Sequence, residues 1–143
     1  MGYTHYWTRA PELPTAAFNA AVSDCQIALA LANIALAGPR GRGSPLFDRE
    51  QIAFNGAGKQ GFESFCMPRR ATPRNDEEDV FDFCKTARQP YDLGVQISLI
   101  ICAHHFGKSF RVRSDGGDDE WAAARLFCQE HLGYGQDFAL TRP

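Results

Sequence analysis

This chain has no large net charge of either sign. Its 143 residues carry 15 Lys and Arg against 17 Asp and Glu, a formal net charge of -2. Such a balance creates no global field that would draw the protein onto nucleic acid or an anionic membrane, so bulk nucleic-acid binding is not expected. A local basic patch remains compatible with it.

Export signals and long apolar runs are also missing. No stretch approaches the ~20 consecutive apolar residues that a membrane span requires, and Met1–Trp7 has no basic region followed by an apolar run. The five cysteines are odd in number and widely spaced, which favours free thiols over a disulfide framework. We therefore expect a cytoplasmic protein that neither is secreted nor enters a membrane.

Motifs that fix a reaction are missing as well. Ser114 stands outside any G-x-S-x-G elbow, and His104 and His105 have no C-x-x-C or H-E-x-x-H partner, so no metal site is expected. The segment Gly56–Gly61 matches G-x-G-x-x-G, but a strand-like run follows it instead of a helix. We expect a hairpin turn there and no cofactor, and a non-enzymatic protein is favoured.

What the chain does contain is an orderly succession of elements. Apolar residues recur at steps of three and four from Thr15 to Leu36, which predicts a first helix closed by Gly38. A second, strongly apolar helix begins at Pro90 and ends at Gly107, and its composition predicts packing on both sides. A third helix is capped at Asp115 or Asp118 and ends at Gly133. The predicted strands are Tyr3–Thr8, Gln51–Asn55, Phe62–Met67, Val80–Lys85 and Phe110–Ser114.

This order, β-α-β-β-β-α-β-α, predicts an α/β (α+β) fold. We expect one domain, residues 1–143, built as a two-layer sandwich with three helices on one face of a mixed five-stranded sheet. The helix between the last two strands makes a crossover, which predicts that those strands run parallel and end on the same edge of the sheet.

The shared edge is the first candidate site. Cationic, hydroxylic and acidic residues follow both strand ends, next to two helix N-termini that favour anions. A small anion, such as a phosphate or carboxylate on a nucleotide or metabolite, is the ligand class expected there. The alternative is that the chain's own carboxylates satisfy these helix ends and pair with Arg88 and Arg113. Those carboxylates are Asp92, Asp115, Asp118 and Asp119. The predicted ligand-binding residues are Lys85, Thr86, Arg88, Arg113, Ser114 and Asp115.

The face of the sheet away from the helices is the second candidate. Its arginines would lie beside Tyr3, His5 and Trp7 or beside Phe81 and Phe83, depending on register, and such a surface suits a stacked base or a protein partner. The alternatives are a homodimer (homo-oligomer) interface and a core covered by the long loops. The residues predicted for this interface are His5, Trp7 and Arg111. His5 would suit a general base if its strand is central, or a hydrogen-bonded core residue otherwise.

Five segments together resemble the signature of a family of small bacterial and phage proteins. They are the GYTHYW opening Gly2–Trp7, then Phe54–Gly56, the FCKTAR segment Phe83–Arg88 with Pro90–Asp92, and Ser114–Gly116. The resemblance extends over nearly the whole chain but implies no activity and therefore no catalytic residues. The resemblance implies a phage or prophage accessory protein, by analogy with other phage-associated chains of this size.

Three functions follow as hypotheses. The first is a non-enzymatic anti-defence factor that sequesters a small anionic, nucleotide-like ligand at the shared edge, in the cytoplasm of the host. The second is a protein–protein inhibitor of a host defence complex that acts through the exposed sheet face. The third is a small hydrolase acting on nucleotides. The partner is accordingly a small ligand or a host protein.

Overall fold

A computed structural model describes residues 2–142. Three α-helices, seven strands and four short 3-10 helices make up the regular structure of these residues. The helices are α1 (Thr15–Ala32), α2 (Asp92–Phe106) and α3 (Ala122–Leu132). The strands are β1 (Thr4–Arg9), β2 (Leu36–Ala37), β3 (Leu46–Phe47), β4 (Gln51–Gly56), β5 (Phe65–Pro68), β6 (Val80–Lys85) and β7 (Arg111–Ser114).

The first sheet has three strands in the order β6-β1-β7. The central strand β1 pairs antiparallel with both neighbours, placing Lys85 opposite Thr4 and Ser114 opposite His5. Consequently β6 and β7 run in the same direction, as predicted, but β1 lies between them. The α2 crossover therefore moves the chain by two positions in the sheet.

The second sheet is built around β4, which pairs antiparallel with β2, β3 and β5. The α/β sandwich class is confirmed, whereas strand number and order differ from the prediction. Two small antiparallel sheets replace one mixed five-stranded sheet. The extra strands β2 and β3 have two residues each, too short for an alternating pattern to reveal them.

Helix α1 ends earlier than the apolar pattern indicates. Asn33 adopts a left-handed conformation with φ 55° and its N–H bonds to the carbonyl of Ala30, which closes the helix as such residues commonly do. Leu36, predicted to lie on the helix, instead pairs with Gly56 in β4. The apolar Leu36 side chain therefore packs against the core from a strand and does not extend the apolar stripe of α1.

The core is centred on α2. Nine consecutive residues of this helix, from Gly94 to Cys102, are buried, so the prediction that it packs on both sides is confirmed. A methyl group built on Gly94 would lie 3.3 Å from Leu29 of α1 and 3.7 Å from Phe54 of β4. The helix thus lies between α1 and the second sheet, and glycine allows the close approach.

Helix α1 is long and apolar enough to cross a membrane by length and composition, with 18 residues and a mean hydropathy of 1.2. The expectation that no segment approaches such a span was therefore too strong. The buried residues of this helix form one stripe, as in a core helix. They are Phe18, Ala21, Val22, Cys25, Ala28 and Leu29.

Candidate functional site

The ends of β6 and β7 meet beside the start of β1. Lys85 closes β6 and Ser114 closes β7, and their partners in β1 are the adjacent residues Thr4 and His5. The predicted convergence of the two strand ends is therefore present. The loop after β6 bonds back to β1, since the N–H groups of Thr86 and Ala87 both donate to the carbonyl of Tyr3.

A buried hydrogen-bond network connects these ends. His5 is 0% exposed; its Nδ1 lies 2.8 Å from Ser114 Oγ and its Nε2 lies 2.7 Å from Asp92 Oδ1. Asp92, the first residue of α2, also accepts hydrogen bonds from Thr86 Oγ1 at 2.5 Å and from Gln96 Nε2 at 2.9 Å. One carboxylate therefore satisfies three buried donors. Its negative charge at the N-terminus of α2 also stabilises the helix.

Arg88 lies outside this network and is paired within the chain. Its guanidinium lies 3.8 Å from the centre of the Tyr3 ring and donates to Glu120 Oε1 at 2.6 Å. That hydrogen bond lowers the pKa of the Glu120 carboxyl. Arg88 and its neighbour Ala87 both have positive φ, 59° and 52°, so the turn is held in a conformation unfavourable for residues other than glycine. Burial raises the pKa of Tyr3.

Asp115 is likewise occupied by the chain itself. Its carboxylate accepts from the Thr4 N–H at 3.0 Å and from the Tyr6 hydroxyl at 2.9 Å. The second bond raises the pKa of Tyr6. The next residue, Gly116, donates its N–H to Ser114 Oγ at 3.0 Å. The turn after β7 therefore folds back onto β1 and the end of its own strand.

The six residues predicted to bind a ligand thus divide into three pairs. Thr86 and Ser114 belong to the buried network, and Arg88 and Asp115 are satisfied by other residues. Lys85 and Arg113 form no ion pair within residues 2–142. The internal pairing considered as the alternative is present for Arg88, although its partner is Glu120.

The outer face of the three-stranded sheet carries two rows of side chains. In one row Tyr6 lies between Phe83 and Arg113; in the other Thr8 lies between Phe81 and Arg111. Phe81 and Phe83 are 46% and 47% exposed. Register therefore selects Phe81 and Phe83, and not Tyr3, His5 and Trp7, as aromatic residues that share a face with the arginines. Tyr6 lies next to Arg113, whose guanidinium is 5.4 Å from the centre of the Tyr6 ring. We call this surface the aromatic–arginine face; it comprises Tyr6, Thr8, Phe81, Phe83, Arg111 and Arg113.

The prediction that His5 and Trp7 take part in an exposed interface is corrected by the structure. Both side chains face the core, at 0% and 2% exposure, because inward and outward residues alternate along β1. His5 packs edge-on against Trp121, with ring centres 4.9 Å apart, and Trp7 packs against Phe65 at 5.4 Å. Of the three predicted interface residues, Arg111 remains exposed.

Three adjoining cavities follow this face and its edge. One of about 220 Å³ is lined by Trp7, Thr8, Phe81, Arg111, Arg113 and Thr141. It shares Thr8 and Phe81 with a cavity of about 410 Å³ that also reaches Arg74 and Glu77. It shares Arg113 and Thr141 with a cavity of about 130 Å³ that reaches Ser114 and Arg142. Arginines therefore outnumber carboxylates along the three cavities taken together.

Sequence reasoning missed Asp92 as the centre of the buried network. In the sequence, the position of Asp92 indicates only a negative charge at a helix N-terminus. Its spacing from His5 and Gln96 matches no known motif, so the sequence does not predict that these side chains meet. A second cluster was missed as well: His105 Nε2 and the Tyr134 hydroxyl both bond Asp24 Oδ2, at 2.8 and 2.6 Å. Among residues 2–142, no group of three side chains is placed to hold a metal ion.

The segments that carry the family resemblance contribute most of the network. Gly2–Trp7 supplies His5, Phe83–Arg88 supplies Thr86, Pro90–Asp92 supplies Asp92, and Ser114–Gly116 supplies Ser114. No family model, curated protein or solved structure matches the chain. Any function must therefore be argued from the geometry alone.

Proposed function

We propose that this protein binds a small anionic, nucleotide-like ligand on the aromatic–arginine face. The observation that carries the proposal is that Arg111, Arg113 and the exposed Phe81 line one cavity of about 220 Å³. Neither guanidinium forms a hydrogen bond or an ion pair in the part of the chain described. The Arg113 guanidinium lies over the Tyr6 ring, 5.4 Å from its centre, and both arginines keep their N–H donors for a phosphate.

The chemistry of this face suits the two halves of a nucleotide. Guanidinium groups bind phosphate through charge-assisted, paired hydrogen bonds. The Phe81 and Tyr6 rings are stacked, with centres 6.2 Å apart and planes 21° apart, and Phe81 presents its exposed surface for a base. Stacking of a base on an aromatic side chain contributes about 1–3 kcal/mol.

The strand ends themselves support this binding less well than the sequence indicates. Arg88 is neutralised by Glu120 at 2.6 Å, and the Asp115 carboxylate already accepts hydrogen bonds from the Thr4 N–H and the Tyr6 hydroxyl. Thr86 is fully buried and bonded to Asp92. Arg113 is the predicted site residue that also lies on the aromatic–arginine face. We therefore place the proposed ligand on that face and not at the strand ends.

The test is thermal stability in the presence of AMP, with adenosine as the matched ligand that lacks the phosphate. At low ionic strength we expect AMP to raise the melting temperature and adenosine to raise it less, because the arginines bind the phosphate. Arg113→Gln and Phe81→Ala should each remove most of the AMP effect. Arg42→Gln, which changes an exposed arginine in another loop, should leave it unchanged.

Other occupants of the same face give different results. We would also test a panel of mononucleotides, dinucleotides and cyclic dinucleotides. If none of them raises the melting temperature of the folded protein, nucleotide binding is contradicted. If a host protein is then retained by the wild type and lost with Phe81→Ala, the face serves an inhibitor of a protein complex. Concentration-dependent dimers that Phe81→Ala dissolves would identify a second copy as the occupant.

The biological setting that we propose is the one the resemblance implies. Sequestration of a signalling nucleotide in the host cytoplasm would make the protein an anti-defence factor of a phage or prophage. Expression of the protein in a bacterium with nucleotide-signalled defence should raise phage plaque counts. Arg113→Gln should abolish that rise if ligand binding at the face is responsible.

A further inference from the structure

We infer that Ser114, His5 and Asp92 form a nucleophilic relay and that Ser114 attacks small anionic esters. The sequence contains no motif for such a site, yet three distant segments bring serine, imidazole and carboxylate into contact. The distances are 2.8 Å from Ser114 Oγ to His5 Nδ1 and 2.7 Å from His5 Nε2 to Asp92 Oδ1. This inference does not depend on nucleotide binding at the aromatic–arginine face.

The surrounding hydrogen bonds assign the protons of the relay. An ionised Asp92 can only accept, so His5 Nε2 carries a hydrogen, and in the neutral imidazole Nδ1 is then the acceptor. The Gly116 N–H donates to Ser114 Oγ at 3.0 Å, which leaves the serine hydroxyl hydrogen for Nδ1. Ser114 is thus placed to lose its proton to His5, as an activated nucleophile requires.

The β ladder and the helix hold this geometry in place. Ser114 and His5 are directly opposite each other in the β1–β7 pair, so their side chains lie on the same face of the sheet. Asp92 is fixed by two further donors, Thr86 Oγ1 and Gln96 Nε2. It is a positioning residue, since it acts on the substrate only through His5.

Ser114 also borders an open space that suits a small anion. The cavity of about 130 Å³ is lined by Arg113, Ser114, Gly116, Gly117, Leu140, Thr141 and Arg142. Arg142 is paired with Asp118 at 3.0 Å, whereas Arg113 forms no ion pair among residues 2–142. Arg113 points to the outer face of the sheet, and its free guanidinium lines the same cavity as Ser114, which favours an ester whose acyl part carries a carboxylate or phosphate.

The reaction is an acyl transfer to serine followed by hydrolysis. Ser114 Oγ forms a bond to the ester carbonyl carbon while its proton moves to His5 Nδ1. The carbon–oxygen bond to the alcohol breaks, and the departing oxygen takes the proton from His5. Water then attacks the carbonyl carbon of the acyl-serine and gives a proton to His5 Nδ1. The bond from that carbon to Ser114 Oγ breaks, the acid leaves, and His5 returns the proton to Oγ.

The burial of His5 predicts that the second stage is slow. Because His5 is 0% exposed, the water of hydrolysis must reach it past the acyl group on Ser114. The acylated protein should therefore accumulate, and a burst of one alcohol per chain should precede slower turnover.

The experiment uses the mono-4-nitrophenyl ester of succinic acid, with uncharged 4-nitrophenyl butyrate as the matched ester. We expect a burst of one nitrophenolate per chain, a mass increase of one succinyl group mapped to the Ser114 peptide, and faster reaction of the anionic ester. Arg113→Gln should remove most of that preference. Ser114→Ala should abolish the burst, and Ser109→Ala, at an exposed serine, should retain it.

Asp92→Asn tests the positioning role separately from folding. The amide oxygen of this variant can keep the bonds from His5 and Thr86, and its NH2 group faces Gln96, whose own amide can turn its oxygen toward it. The variant no longer stabilises a charged imidazole, so acylation should slow by about 100-fold or more while the melting temperature changes little. The variant should also shift the pH profile of acylation, which a purely structural role would not do. Equal labelling of wild type and Ser114→Ala, or an adduct mapped elsewhere, would overturn the proposal.

Discussion

His5 Nε2 lies 2.7 Å from Asp92 Oδ1, a contact between residues 87 positions apart in the chain. This hydrogen bond connects the central strand β1 to the first turn of α2, the most deeply buried helix. The same Asp92 oxygen accepts from Thr86, which follows β6. One carboxylate therefore connects both strands of the β6–β1 pair to the core, and its removal has consequences for stability as well as chemistry.

Replacement of Asp92 by alanine should destabilise the fold strongly. Three donors would lose their acceptor, namely His5 Nε2, Thr86 Oγ1 and Gln96 Nε2. Unsatisfied buried donors are costly, and we expect a loss of about 3 kcal/mol in the free energy of unfolding, measured by urea denaturation. Asp92→Asn should lose about 1 kcal/mol or less. Equal losses in the two variants would contradict this role for the carboxylate.

A side chain at Gly116 should be poorly tolerated. A methyl group there would overlap the Tyr3 hydroxyl oxygen and lie 2.7 Å from Glu120 Oε2, and Tyr3 is held in place beneath Arg88. We expect Gly116→Ala to lower the free energy of unfolding by about 1–3 kcal/mol. Gly117→Ala is the matched control, because its nearest neighbour is the exposed Asp119 side chain at 3.0 Å. A neutral Gly116→Ala would show that Tyr3 can move aside.

Thiol titration should distinguish one cysteine from the other four. Cys66 is exposed, and Cys25, Cys84, Cys102 and Cys128 are buried. With Ellman's reagent we expect one thiol to react in the native protein and all five in guanidinium. Partial burial raises the pKa of Cys66, so its reaction at pH 7 should be slower than that of a free peptide thiol and should accelerate as pH rises. In Cys66→Ser the native reaction should disappear.

The carboxyl of Asp82 should make stability depend on pH. Burial raises its pKa in the folded protein, so the folded state holds this proton more tightly than the unfolded chain. Stability is then lost as pH rises from about 4, the unfolded value, through the raised folded value. Asp82→Asn should therefore raise the melting temperature at pH 7, and the gain should vanish below pH ~3.5.

Exposed Asp76 provides the comparison for that prediction. Asp76→Asn should change the melting temperature little at either pH. The amide oxygen introduced by Asp82→Asn can still accept the Phe83 N–H that Asp82 Oδ1 accepts at 2.8 Å, so the substitution removes charge and keeps the hydrogen bond. A lower melting temperature of Asp82→Asn at pH 7 would show that attraction to Arg9 and Arg74 outweighs the cost of burial.

The candidate site was predictable in part. That Lys85 and Ser114 end on one edge follows from the crossover helix between their strands, a rule of chain connection that needs no coordinates. The partners of the polar side chains were not predictable, because they depend on register. A shift of one residue in β1 would place Tyr6 opposite Cys84 and turn His5 outward.

The amino-acid sequence by itself determined the helical stripe of α1, the all-round burial of α2 and the alternation of Arg111, Val112 and Arg113. These are local patterns, set by the period of a helix or strand and by where apolar side chains lie within it. Only the tertiary structure decided that β1 is central, that His5 meets both Ser114 and Asp92, and that the arginines share the outer face with Tyr6, Phe81 and Phe83. Those outcomes depend on strand order and register between distant segments, which are selected by the packing of the whole core and not by any one stretch of chain.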